Sequence, residues 1–251
     1  MGDTVINKLL TDLPDAPVRT VLIGTHWTAV VVETAAGLRC GLASSQPPAD
    51  NHHHSGGADV PDAGHLHERG GRALAELVRS DSPPEVSVGM AAINALLPLN
   101  EETWIELNAE EVIAQKGAGK HVALVGHFPF VPRLRERVGR LSVLELAPRG
   151  DDLPSEAAPE LIPTADVVAL TGTTLLNRTF EGLVRLCHPK ALVLLLGPTT
   201  PLSPILFDHG VHIVSGSVVQ EIERVLLTVA QGGNFRQVHR AGVRLVTMRK
   251  S

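Results

Sequence analysis

From residue 118 onward the chain repeats one rhythm: a short apolar run, room for a helix, then another short apolar run. The runs are His121–Val125, 141–146, 167–170, 191–196 and 211–214. Each has strand length, and the intervals of roughly 20 to 25 residues leave space for one helix between strands. That pattern predicts βαβ units and therefore a parallel, doubly wound sheet. Helices are expected at 132–138, 175–186, 204–208 and 218–231. Strands covered on both faces need Val, Leu, Ile and Ala instead of alternation. The composition fits, with hydrophobic residues at 43%, aromatics at 3% and no Tyr.

The first part of the chain reads differently. Apolar residues at Val5, Ile6, Leu9, Leu10 and Leu13 have helical spacing. Three β-like runs follow at 18–23, 27–33 and 38–43, parted by tight turns, and predict an antiparallel meander. Residues 44–64 have no period and read as a surface loop. Helices are expected at 67–79, at 85–97 and at 109–116, where Gly117-Ala118-Gly119 gives a C-cap and linker signal. The helix over 85–97 is apolar on nearly all sides, so it should be buried. These signals place an N-terminal α+β domain at 1–117 and a parallel-sheet domain at 118–251.

Charge and cysteine content narrow the function classes. Lys plus Arg number 22 against 27 for Asp plus Glu, a net charge of -5. With no dense basic run, nucleic acid is not an expected partner. The 2 cysteines, Cys40 and Cys187, lie far apart and form no disulfide framework or Cys-x-x-Cys motif. A reducing, cytoplasmic location is expected. The opening MGDTVINKLL is acidic where a signal peptide is basic, and no apolar run approaches the roughly 20 residues of a membrane span.

In an open parallel sheet, ligands bind outside the carboxyl ends of the strands. Those ends read Gly126-His127-Phe128-Pro129-Phe130, Glu145, Thr171-Gly172-Thr173-Thr174 with Asn177, Gly197-Pro198-Thr199-Thr200-Pro201 and Ser215-Gly216-Ser217. Glycine admits close backbone approach, and the hydroxyls donate to a carboxylate or phosphate. The same residues would also serve as turn formers and helix caps. Thr173 and Thr199 are expected to face one ligand. Glu145 follows Gly126 by about 20 residues, the spacing of the ribose-binding acid in dinucleotide folds. The Gly126 turn nevertheless lacks the remaining glycines of G-x-G-x-x-G. Gly117-Ala118-Gly119-Lys120 lacks the upstream Gly and the following Ser or Thr of a P-loop. His127, beside Glu145, is a candidate for metal binding or proton transfer. Five of the 12 histidines fall within 52–67, a cluster that also reads as a solvated loop. Asn94, inside the apolar helix, needs partners for its amide. It is expected to anchor a loop or face a cleft.

Taken together, Gly24-Thr25-His26-Trp27-Thr28, Gly41-Leu42-Ala43, Gly89-Met90-Ala91-Ala92-Ile93-Asn94-Ala95, Val125-Gly126-His127-Phe128-Pro129-Phe130, Ala165-Asp166 with Thr171-Gly172-Thr173-Thr174, and Gly197-Pro198-Thr199-Thr200-Pro201 resemble the family described as "putative heavy-metal chelation". The resemblance covers nearly the whole chain. It implies an N-terminal domain similar to that of enolase, a Rossmann-like C-terminal domain and an active site in the cleft between them. The fold class expected is thus α/β.

Three functions remain in view, the third being a metal-handling protein with no catalysis. The first is a protein that binds a small anionic ligand, with a divalent metal ion held by His127 and Glu145. Its ligand shell would be Asn94, Gly126, His127, Phe128, Glu145, Thr171, Gly172, Thr173, Thr174, Asn177, Gly197, Pro198, Thr199 and Thr200. The second is a Rossmann-like transferase or lyase in which Glu145 holds the ribose of an adenosyl or nucleotide cofactor. A small-molecule ligand and self-association into a homo-oligomer are the expected partnerships.

Overall fold

The computed structural model describes residues 4–48, 58–105 and 107–250. The chain divides into two compact units. The first holds the chain up to Leu99 together with Pro198–Ser203 and Gly216–Leu245; the second holds Asn100–Gly197, Pro204–Ser215 and the stretch from Val246 onward.

Helix α1 (Val5–Thr11) starts at Thr4, whose hydroxyl oxygen accepts from the Asn7 N–H at 3.3 Å. Strands β1 (Val18–Ile23), β2 (Trp27–Thr34) and β3 (Gly37–Ser44) form the antiparallel meander, with Val31 opposite Cys40. The expected helix at 67–79 is broken into 3-10 turns at Leu66–Glu68 and Glu76–Arg79 flanking α2 (Gly71–Ala75). An extended Gly70 bridging Pro17 interrupts it. Helix α3 (Pro83–Leu96) is buried along most of its length, as its apolar sequence requires.

The next elements belong mainly to the second unit. They are β4 (Trp104–Ile105), α4 (Ala109–Gly117), β5 (His121–Val125), α5 (Val131–Arg135), β6 (Arg140–Glu145), β7 (Leu153–Pro154), α6 (Ala158–Leu161), β8 (Val167–Thr171), α7 (Thr173–Leu176), α8 (Phe180–Leu186), β9 (Leu192–Leu196), α9 (Ile205–Asp208) and β10 (Ile213–Val219). Then come α10 (Ile222–Ala230), α11 (Phe235–Gly242) and β11 (Val243–Arg249). The larger sheet runs β4-β11-β10-β9-β8-β5-β6-β7. The pairs from β10 through to β7 are parallel, and β11 with β4 is antiparallel. From β5 the chain moves outward through β6 and β7, then returns to β5's other side for β8, β9 and β10. This is the doubly wound order, and its direction reverses between β5 and β8. Val112 and Ile113 of α4 pack with Val122, Leu124, Val167 and Leu194 in the core of this sheet. No helix among the described residues is long and apolar enough to cross a membrane.

Two features depart from the sequence pattern. The boundary expected at 117 lies inside the second unit, because α4 packs on that unit's sheet and β4 pairs with β11 through Trp104 and Met248. Segments 198–203 and 216–245, expected in the second domain, belong to the first unit. Within it Val225, Val229, Val238 and Ala241 of α10 and α11 pack on Ala29, Val31, Cys40 and Leu42. The opposite face of the meander meets α3, at Gly41. Covered on both faces, β2 is buried continuously from Thr28 to Val32. Secondly, Ser215-Gly216-Ser217 is not a strand-end turn. β10 continues through it to Val219, and the Ser215 hydroxyl lies 3.0 Å from that of Thr247.

Burial pushes the Cys40 thiol up to about 12 and that of Cys187 up to about 11, from an ordinary 9.0. Both remain protonated thiols at neutral pH. The unfolded chain starts to lose these protons near pH 9 while the folded chain keeps them, so stability declines as pH rises from about 9 towards 12. The urea midpoint is therefore expected to fall between pH 8 and pH 10.5, and to fall less in Cys40→Ala. Equal slopes in the two proteins would show that Cys40 does not contribute.

Candidate functional site

The carboxyl ends of β5 and β8 lie side by side where the sheet order reverses. Gly126 ends β5 with φ +104, and a Cβ there would sit 3.0 Å from Cβ and Cγ2 of Thr171. Glycine is required on both counts. The next residue, His127, is tied down twice. Its backbone N–H donates to Glu145 Oε1 at 2.5 Å, while Glu145 Oε2 accepts from the Leu146 N–H at 3.2 Å. Its imidazole Nδ1 lies 2.8 and 3.0 Å from the two carboxylate oxygens of Asp152.

The Asp152 side chain is only 2% exposed, whereas that of His127 is 41% exposed. The Arg149 N–H donates to Asp152 Oδ2 at 3.2 Å and fixes the carboxylate in place. An ionised carboxylate only accepts, so the proton between the two groups sits on Nδ1. Nε2 is then left to accept a proton or ligate a metal.

On the β8 side, Thr171 Oγ1 accepts from the Thr173 hydroxyl at 3.1 Å, and the Thr174 hydroxyl donates to the Thr171 carbonyl at 2.7 Å. Asn177 Oδ1 accepts from the Thr179 hydroxyl at 2.7 Å. The helix expected at 175–186 is therefore split into α7 and α8, with Arg178 at φ 59 between them. A non-glycine residue in the left-handed region beside a cavity is a local feature of interest in its own right.

These segments enclose a cavity of about 460 Å³, the size of many small-ligand pockets. Of the residues expected from sequence, Gly126, His127, Phe128, Glu145, Thr171, Thr173, Thr174 and Asn177 line it. Ser155 and Glu156 line it as well and were not anticipated, nor was Asp152 behind His127. Asp152 comes from the connection between β6 and β7, and Ser155 and Glu156 from the 3-10 turn just after β7, segments with no period to mark them. The acidic Asp151-Asp152 pair was the available signal. The lining carries the carboxylates of Glu145 and Glu156 and neither Lys nor Arg.

The remaining expected residues lie elsewhere. Gly172 and Gly197 use their N–H groups on Leu196 and Ser215 carbonyls, at 2.9 and 3.0 Å. The Pro198 carbonyl accepts from Ser217 at 3.3 Å. Thr199 belongs to the first unit, Thr173 to the second. Its Oγ1 accepts from the Ser44 N–H at 3.0 Å. Asn94 anchors loops, donating through Nδ2 to the carbonyls of Leu42 at 2.8 Å and Thr199 at 3.1 Å. Thr200 is buried in the first unit. Of the histidine cluster, His52, His53 and His54 lie outside the described residues, and His65 pairs with Glu68 at 3.0 Å. Among the described residues no three His, Cys, Asp or Glu side chains converge into a metal-ligand set.

Comparison with known proteins places this geometry in a family. The crystal structure of a protein with unknown function from the DUF364 family of Desulfitobacterium hafniense DCB-2 is 28% identical. It superposes with a TM-score of 0.81 over 98% of this chain and 97% of that one. A second structure from that family, from Pyrococcus horikoshii, shares the fold at 22% identity, with a TM-score of 0.80 over 98% of each chain. The uncharacterized protein MJ0500 of Methanocaldococcus jannaschii is 29% identical over 151 residues. The match spans 57% of this chain and only 58% of that protein's length. Two family models, both described as "putative heavy-metal chelation", match residues 6–97 and 108–248. The chain belongs to this family.

Proposed function

We propose that the cavity at the β5–β8 reversal binds a divalent metal ion together with a small anionic chelating ligand, the metal being cargo. What carries this reading is the charge of the lining: an imidazole oriented by a buried carboxylate, two further carboxylates, and no cationic side chain. A bare anion would meet Glu145 and Glu156 with nothing to compensate it. An anion that brings a metal compensates itself.

His127 Nε2 suits zinc, nickel or copper, and a carboxylate supplies one further bond. The remaining coordination positions then fall to the chelating ligand or water. The hydroxyls of Thr171, Thr173 and Ser155 are available to its oxygens, and Phe128 to its apolar part.

Calorimetric titration with zinc citrate, zinc alone and citrate alone tests this. The complex is expected to bind at least about tenfold tighter than either component, a difference of about 1.4 kcal/mol. His127→Ala is expected to lose that binding, and deletion of residues 51–59 to retain it. Citrate binding as well without metal as with it would sink the reading.

A second reading rests on the sheet order, since Glu145 at the end of β6 occupies the place of the ribose-binding acid of dinucleotide folds. Saturable binding of S-adenosylmethionine or ATP, lost in Glu145→Ala, would select it over the metal complex.

A further inference from the structure

The first unit contains a second, smaller cavity of about 140 Å³, separate in its residues from the one described above. Arg39 of β3, Asn94 of α3 and Thr200 all line it. On two of these residues, Asn94 Oδ1 and Thr200 Oγ1 are buried with no hydrogen-bond partner among the described residues, and Thr200 as a whole is 2% exposed. Such orphaned atoms are destabilising unless a ligand or water satisfies them. Arg39 is half-buried and has no carboxylate or carbonyl partner among the described residues. Burial pulls its pKa below the ordinary value, the direction expected of a guanidinium that has lost water and gained no counter-charge.

These groups define what would fit. Asn94 spends its Nδ2 on the Leu42 and Thr199 carbonyls. That fixes the amide, so Oδ1 presents only an acceptor and needs an O–H or N–H. Arg39 presents only donors and needs an anion, best a planar carboxylate. The Thr200 hydroxyl serves either way. The lining has no Asp or Glu to balance an ammonium group, so a hydroxyl fits Asn94 better than an amine. Cys40, also on the wall, stays a neutral thiol and does not repel an anion. Leu97 and Leu202 complete an apolar side. A volume of about 140 Å³ suits a ligand of a few heavy atoms better than one the size of citrate.

We propose that this cavity is a binding site for a short 2-hydroxycarboxylate such as glycolate or lactate. The carboxylate lies on Arg39 and Thr200, and the hydroxyl donates to Asn94 Oδ1.

Titration of the full chain with sodium glycolate and lactate, followed by calorimetry and protein-observed NMR, is expected to saturate. Propionate, which lacks the hydroxyl, should bind at least about fivefold more weakly, and glycolamide, which lacks the charge, at least about tenfold. Arg39→Met is expected to weaken glycolate by about tenfold or more, and Thr200→Val by a few fold. His127→Ala should leave it unchanged, which separates this site from the larger cavity. Thermal melts report whether each variant is folded. Should Thr200→Val not fold, Arg39→Met and the ligand series still decide. No saturable binding below about 10 mM, or equal binding in Arg39→Met, would mean that water alone fills the cavity and would overturn the proposal.

Discussion

Gly41→Ala is expected to abolish the cooperative folding of the first unit. The added Cβ would lie 2.1 Å from the Ala91 carbonyl oxygen and 2.3 Å from the Ala95 nitrogen. Both are backbone atoms of α3, so no side chain can swing aside; β3 and the helix would have to separate. Overpacking of this kind costs about 3 kcal/mol or more, a large share of the stability of a domain. Gly182→Ala is the matched control. It lies within α8, has nothing within 4 Å of its Cβ and should stabilise slightly through helix propensity. Urea titration of both variants checks the pair. A Gly41→Ala midpoint equal to wild type would mean that α3 does not lie this close to β3.

Asp152→Asn is expected to weaken binding of the metal–chelate complex by about 10- to 100-fold, the usual consequence of removing the group that orients a ligating histidine. The amide is nearly isosteric and its oxygen can still take the place of Oδ2, but it loses the negative charge and puts an N–H where Oδ1 faces the imidazole Nδ1 at 3.0 Å. Folding stability should fall by only about 1 kcal/mol. His127→Ala and Asp152→Asn combined should be little worse than His127→Ala alone, because the aspartate acts through the ring. If Asp152→Asn binds zinc citrate like wild type, His127 is not a ligand.

How much of this could be read from sequence depends on whether the signal is local. The strands β5, β6, β8 and β9 were legible because a strand covered on both faces is an uninterrupted apolar run, and their spacing fixed the parallel connection. The end of β10 was not legible. Ser215-Gly216-Ser217 has turn composition, and only the distant Thr247 beside Ser215 makes it strand. Likewise β4 and β7, two residues each, have no period to detect.

At the site, Gly126 and Thr171 were found from sequence because strand ends are where such residues bear on ligands. Asp152 was missed, since only folding brings it to the ring of His127, 25 positions earlier in the chain. Thr199 resembles a ligand group by residue type, but its hydroxyl accepts from the Ser44 N–H, and the Asn94 Nδ2 is spent on the Leu42 and Thr199 carbonyls; sequence cannot separate such anchoring from binding a ligand.

The first unit is assembled from three stretches of chain, and this sets an order of events on the ribosome. The face of β2 and β3 that carries Ala29, Val31, Cys40 and Leu42 emerges before its cover, Val225 to Val243, which follows Leu42 by about 180 residues. At translation rates of roughly 5–20 residues per second, that apolar face stays bare for about 10 to 40 seconds while the intervening chain is synthesised. The nascent chain thus presents an open sheet to chaperones or to other nascent chains throughout that interval.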